Sequence, residues 1–431
     1  MQEGESGVRR PREVAASLCA MIAALLALAM QAPKPSAPDL TVWPNAVSSA
    51  NSDRWLVEHH DELRRLEPKL LVLDFVNGVP IADVRKKVDE LIAALAESSR
   101  YHGFEDPAAP VFLQYKIAKL ADLTDPAPIP KTIDGSSTKY PRLPDVKTGF
   151  NFDYAVLHTQ EFAANYGYPD PKDSKRFLTL GELLDSGTIN ELWFVARQSE
   201  AGWPYEAIEQ KPVYDANFAR VGSEHRQCGN GGDDHEPFEG RSLRVNYINY
   251  DRGIGCVMEN FGHCLEAMAH ADVIPYYKKY FHEFGDFDLD KRWGLPVGSL
   301  YEIDGGGKDK AEYPNAHTLV VHHAGKELRF ENFIANAGNV HFPPNGRHDY
   351  DLDNPAPVLS TIEHWRRFDG EGGRDKTIEF TPAKFAKYIE LAPDCMGPWL
   401  VYWRQNIPGL DNKSLDDEKK PMKNWWPFLF Y

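Results

Sequence analysis

Short, uninterrupted apolar runs, followed by residues of helical periodicity, limit this chain more than any other feature. LLVLDFV (70–76) precedes Ile81 to Leu95, where VRKKVDELIAAL repeats its apolar positions every three or four residues. VFLQYKIAKLADL (111–123) and ELWFVA (191–196) read as further strands, with helical candidates at 153–166 and 178–186 between them. SLRVNYINY (242–250) is another, and it leads into a helix at about 255–271. An apolar run without polar alternation needs cover on both of its faces. Strands alternating with helices supply that cover in a parallel α/β sheet, expected over residues 51–275.

Beyond 275 the pattern changes. TLVVHH (318–323) and KELRFENF (326–333) read as a hairpin turning at Ala324-Gly325. The rest is punctuated by Pro and Gly and ends in Trp399, Trp403, Trp425 and Trp426. The expected fold class is α/β: a mostly parallel sheet with flanking helices, plus an irregular C-terminal cap over 276–431 with a short β-hairpin and a Trp-rich end. With 42% hydrophobic residues the chain is not a disordered one.

Residues 15–32, AASLCAMIAALLALAMQA, are uncharged and follow Arg9, Arg10 and Arg12. A basic start, an apolar centre and the small residues Ala27 and Ala29 read as a signal peptide over 1–32. At this length an uncleaved anchor is the alternative. Residues 33–50, rich in Pro, Ser and Ala, read as a linker. The expected location is therefore secreted, periplasmic or cell-surface, with no stable membrane insertion after cleavage. Three Arg and three Glu balance within 1–32, so the net charge of −16 belongs to the mature chain. That acidity argues against a nucleic-acid partner. Beyond residue 32 the cysteines are Cys228, Cys256, Cys264 and Cys395. Cys256 and Cys264 lie about 12 Å apart along the expected helix. A disulfide needs Cα atoms within ~7 Å, so any bridge runs to Cys228 or Cys395.

The helix after 242–250 carries the chemistry. Val257, Phe261, Cys264, Leu265 and Met268 form its apolar stripe. Opposite lie Glu259, His263, Glu266 and His270, within a sector of about 60° at 100° per residue. No Lys or Arg interrupts this sector, and small residues border it. Gly262 costs about 1 kcal/mol relative to Ala in a helix, which implies that something packs closely there. His263 and Glu266, three apart, can offer an imidazole and a carboxylate to one metal. A zinc hydrolase needs three protein ligands and an open position for water. His341 is the candidate third ligand, and Glu259 the general base. A His-x-x-Glu pair completed by a remote His is the ligand pattern of zinc carboxypeptidases, although no other motif of theirs is present.

Tyr250 and Arg252 stand just before this helix, in NYDRGIG, and are further catalytic candidates. The helix N-terminus can offer free N–H groups to an anion, with Arg252 as a clamp. Asp286-x-Asp288-x-Asp290 and Asp349-x-Asp351-x-Asp353 space carboxylates as calcium loops do, but lack the Gly and Glu of an EF-hand. An irregular calcium site and solvated turns are both open readings of them. The loop 339–348, NVHFPPNGRH, holds His341 and Asn345 beside a rigid Pro-Pro turn. Aromatics of the tail, such as Trp403, Trp425 and Tyr431, are candidates for stacking on sugar rings or for a buried seam.

NYDRGIG, ENFGHCLE, GNVHFPPNGRHDYD and the late NWW resemble a group of uncharacterised secreted proteins of bacteria and fungi. Some of that group carry attached discoidin-like carbohydrate-binding domains; none is expected within these residues. Asp251 stands where the group has Glu. The resemblance covers most of 70–426; it implies secretion and locates the site, but brings no activity with it. The reading carried forward is a secreted metal-dependent hydrolase. In it, zinc held by His263, Glu266 and His341 activates water against a peptide, amide or ester-like bond of an extracellular peptide or glycan. The alternative is a metal-free carbohydrate-active enzyme or binding protein using the Glu259/Glu266 pair and the aromatic cap.

Overall fold

β1 (Lys69–Asp74) shows how the apolar runs become strands. Leu70 and Val72 enter one hydrophobic cluster while Leu71 and Leu73 enter another, so both faces are covered. In this computed structural model the described residues are 39–48, 53–124, 140–145, 149–231, 236–303 and 309–431. The signal segment, residues 33–38 and 49–50 of the linker and most of 125–150 lie outside them. Leu40–Tyr431 form one unit. β2 (Lys116–Asp122) pairs with β1, and β3 (Glu191–Ala196) pairs on its other side, all parallel. In β3, Trp193 and Val195 face the first cluster, and Leu192, Phe194 and Ala196 the second.

The sheet is mixed, parallel through part of its width as expected and antiparallel along one edge. β4 (Ala207–Tyr214), β5 (Arg220–Gln227) and β6 (Leu243–Asn249) complete the strand order β5-β4-β6-β3-β1-β2. β6 is parallel to β3, whereas β4 is antiparallel to both β6 and β5. Charge hid this hairpin from the sequence pattern. β4 reads AIEQKPVY, yet every residue of it is buried. Glu209 Oε2 accepts from Arg244 Nε and Nη2 at 3.0 and 2.9 Å, and its Oε1 accepts from Lys211 Nζ and Ser242 Oγ at 3.2 and 3.0 Å. Glu191 on β3 accepts from Trp193 Nε1, Asn246 Nδ2 and Tyr115 Oη. A buried charge is tolerated only when paired and hydrogen-bonded in this way.

α1 (Ile81–Ser98) begins after Pro80 and buries Val84, Val88, Leu91 and Leu95, an i, i+4, i+7, i+11 stripe. α2 (Ile254–His270) packs on α1, on α3 (Pro275–Phe284) and on α4 (Gly397–Asn406). Because it is enclosed on several sides, even Glu259, Asn260 and Glu266 are buried. α4 and the tail join the cluster beneath the sheet: Trp399, Trp403 and Trp425 are 0% exposed. The 318–323 and 326–331 segments form the expected hairpin, β8 (Thr318–His323) and β9 (Lys326–Glu331), joined by β7 (Lys310–Asn315) as a third antiparallel strand. Positive φ at Ala324 and Gly325 fits the tight turn between them. Among the described residues no helix is long and apolar enough to cross a membrane.

Cys256, in the first turn of α2, is bridged to Cys395 just before α4 (Cα–Cα 5.1 Å), while Cys228 and Cys264 are buried free thiols. The same junction is tied by Gly255 N donating to Pro393 O and Gly253 N to Asp394 Oδ2, both 2.9 Å. A Cβ on Gly255 would fall 1.9 Å from Asp394 O, so only glycine admits this approach. The bridge closes 139 residues of chain. Replacing both Cys256 and Cys395 by Ser is expected to cost about 2–5 kcal/mol. Urea denaturation followed by tryptophan fluorescence checks this, and unchanged midpoints would show that the bridge adds nothing to stability.

Candidate metal centre

α2 places Glu259, His263 and Glu266 on one face, as the 3.6-residue period requires. The loop carrying His341 is brought against that face by backbone contacts. Asp286 accepts the N–H groups of Asn336 and Gly338 at 3.1 Å. Trp399 Nε1 and Trp403 Nε1 donate to Asn339 O and Gly338 O, each at 3.0 Å. Val340 N donates to Glu266 Oε1 at 2.9 Å. Gly262 lies directly under Val340, whose Cγ2 would be 2.7 Å from a Cβ at position 262. The close packing expected at that glycine is therefore the docking of the His341 loop.

Three ligand atoms converge there. His263 Nε2 lies 3.0 Å from His341 Nε2, which lies 3.0 Å from Glu259 Oε1, and the third side is 3.7 Å. Glu259, His263 and His341 thus form a group able to hold a metal ion. Each imidazole has a carboxylate on its other nitrogen: Glu266 Oε2 is 2.8 Å from His263 Nδ1, and Asp349 Oδ1 is 2.7 Å from His341 Nδ1. Tyr350 Oη donates to Glu259 Oε1, and its ring lies 4.2 Å from that of His341. Tyr301 Oη accepts from His341 N at 3.2 Å and donates to Glu266.

The electrostatics follow from this crowding. Burial alone would raise the Glu259 carboxyl, but hydrogen bonds from His263, His341 and Tyr350 outweigh it and hold the group at about 2. Burial would likewise lower His263, and its contacts with Glu259 and Glu266 instead raise it to about 10. Glu206, at the start of β4, is raised by burial and by the charge of Glu259, against the opposing charges of His263, Arg252 and His341. It accepts a hydrogen bond from Asn230 Nδ2.

The expected residues are thus partly gathered. Glu259, the candidate base, is the carboxylate at the convergence. Glu266, the candidate ligand, sits behind the His263 ring with both oxygens engaged. Arg252 does not join this point; it lines a neighbouring cavity together with Glu206 and donates to Cys395 Sγ at 3.3 Å. Tyr250 lies between Lys87 and Arg197, 5.4 and 5.2 Å from its ring. His270 faces His282 and Phe287. The first N–H groups of α2 meet the chain's own Asp394 and Pro393 rather than a free anion.

The acidic triplets are largely consumed internally. Arg292 pairs with Asp286 and Asp288, and Arg347 with Asp351 and Asp353, so neither triplet converges as a calcium loop. Asn345 is structural, donating to Asn354 O and Ala356 O. The tail aromatics are core and offer no outer stacking face: Trp426 and Tyr431 are 1% exposed. A wider depression of about 830 Å³, lined by residues such as His60, Arg64 and Lys423, shares no residue with this centre. Sequence reasoning missed Glu206, Tyr301 and Tyr350; only the DYD following His348 hinted at Asp349.

No model of a known protein family matches the chain, and no curated protein matches it either. The site is therefore read from its own geometry. Gly262→Ala tests that geometry by the sign of its effect. On an open helix face the change would stabilise by about 1 kcal/mol. Here, with Val340 in the way, it is expected to destabilise by about 1–3 kcal/mol, measured by thermal denaturation.

Proposed function

We propose that this protein is an exported metal-dependent hydrolase, in which zinc is held by Glu259, His263 and His341. One observation carries the reading: three ligand atoms meet at 3.0, 3.0 and 3.7 Å, with a carboxylate behind each imidazole. Ligands ~2.0–2.1 Å from a tetrahedral zinc stand about 3.3–3.4 Å apart, the mean spacing seen here to within a few tenths. A carboxylate on the second nitrogen fixes the tautomer of a metal-binding histidine and raises its basicity. Three protein ligands leave a fourth position for water, whose pKa a bound zinc lowers to about 7.

In this reading Glu266 and Asp349 orient the imidazoles, and Glu206 is the carboxylate that takes the proton of the attacking water. Tyr350 Oη, which donates to Glu259 Oε1, would hold that carboxylate in place as a ligand. The scissile bond is of the amide or ester type. Export is supported by the N-terminal apolar run and by the Cys256–Cys395 bridge, since disulfides persist in oxidising compartments.

Metal analysis of the purified protein tests this directly. About one zinc per chain is expected, lost in His263→Ala and His341→Ala. Glu266→Gln is expected to keep a metal site but to weaken it by about 10–100-fold. Absence of any bound transition metal after zinc loading, or an unchanged metal content in His263→Ala, overturns the proposal.

A further inference from the structure

A cavity of about 180 Å³ opens where the C-terminal ends of β3 and β6 meet the first turns of α2. Open α/β sheets bind ligands at this edge. Its lining includes Gln198, Trp203, Glu206, Asn249, Arg252 and Asn260. Trp203 is 63% exposed, more than any other large apolar side chain among the described residues. The other five carry planar polar groups: three amides, a carboxylate and a guanidinium. Several are already fixed. Asn249 Nδ2 donates to Gln198 Oε1 at 3.1 Å, and Asn230 holds Glu206. A rim set in advance loses less entropy on binding.

The chemistry of this lining selects its occupant. A sugar ring has an apolar C–H face that fits a flat indole, and edge hydroxyls that both donate and accept. Arg252 and the amide NH₂ groups donate; Glu206 and the amide oxygens accept. Each of these side chains already holds a partner within the protein, and its remaining hydrogens and lone pairs are what an edge hydroxyl can meet and an apolar side chain cannot. A phosphate would meet the Glu206 carboxylate. The volume lies below the ~300 Å³ of pockets for drug-sized ligands, a size that suits a single ring. Asn260 and Cys256, on the cavity side of α2, lie within about one helical turn of His263 and Glu259. Glu206 lines the cavity and feels the charges of His263, Glu259 and His341.

We infer that this cavity is the subsite for a single sugar ring, and that the hydrolase proposed above acts on a sugar bearing an acyl group on nitrogen or oxygen. The inference rests on that hydrolase reading for its reaction but not for its binding. In the step, water oxygen adds to the acyl carbonyl carbon. The bond from that carbon to the sugar nitrogen or oxygen breaks, its electron pair staying with the sugar atom, which takes a proton from the water. A carboxylic acid and the de-acylated sugar result.

The test titrates N-acetylglucosamine and glucose into the full protein, zinc-loaded and EDTA-treated, following tryptophan fluorescence and calorimetry. Saturable binding of N-acetylglucosamine is expected in both states, weakened at least about tenfold by Trp203→Ala and largely kept by Trp203→Phe. The zinc-loaded protein is expected to release acetate from N-acetylglucosamine or from O-acetylated glucose. No saturable binding of either sugar, or equal binding by Trp203→Ala, overturns the subsite while leaving the hydrolase reading intact. Sugar binding without acetate release from either acetylated probe overturns the acyl-sugar assignment. Sugar binding by a protein that takes up no metal overturns the hydrolase instead.

Discussion

A single carboxylate, Glu266, joins the two parts of the chain that make the site. Its Oε1 accepts the N–H of Val340, and its Oε2 faces Nδ1 of His263. The first contact docks the loop that carries His341; the second sets the ring of His263. At 5% exposure Glu266 has little water to fall back on, so both contacts are needed to offset its burial. Remove either and a buried polar group is left unmatched, at a cost of about 1–3 kcal/mol. Glu266 thus touches both sides of the meeting of His263 and His341, which are 78 residues apart.

Around it the fold is built so that the loop has no alternative seat. Asp286 grips the loop from below α3, and two indoles of α4 grip it from the side. Those indoles are in turn fixed by the cluster that covers the sheet. The tail closes the same cluster, and Leu429 O accepts from Arg244 Nη2, beside the ion network crossing β3, β4 and β6. The Trp-rich end therefore acts on the site through the backbone it supports. The clustered carboxylates act similarly: most of them pair with Arg292, Arg347 or His341, so clustered negative charge becomes internal scaffolding.

What could be read from the sequence was what a local period or a steric rule dictates. The strands at 191–196 and 318–323 and the helix from 254 follow their apolar patterns, and Gly262 pointed to a close approach because a helix rarely keeps glycine without reason. β4 could not be read, since Glu209 and Lys211 look like surface residues until Arg244 and Ser242 are placed beside them. Glu206 could not be read either. It sits in WPYEAIEQ, with no period or spacing to mark it, and comes to line the cavity at the end of β6 because β4 runs antiparallel to β6. His341 could be nominated from a polar, Pro-fixed loop, but its partner Asp349 belongs to a triplet that also suited calcium.

The exchange of roles between Glu259 and Glu266 has a cause in helix geometry. Both lie within reach of His263, one at i−4 and one at i+3, so spacing alone cannot choose. Side chains on an α-helix lean toward its N-terminus. The His263 ring therefore extends over the turn that carries Glu259, and its outer nitrogen, Nε2, points there. The inner nitrogen, Nδ1, is left facing the turn of Glu266. The His-x-x-Glu pair on this helix thus makes a 2.8 Å contact behind the ring, and the Glu-x-x-x-His pair brings Glu259 Oε1 and His263 Nε2 to the convergence with His341. In the proposed reading, with Glu259 as a ligand and Glu266 held by Val340 and His263, a proton acceptor would come from outside the helix. Glu206, whose carboxyl burial raises and which lies in the field of His263, Glu259 and His341, is the group proposed for that role.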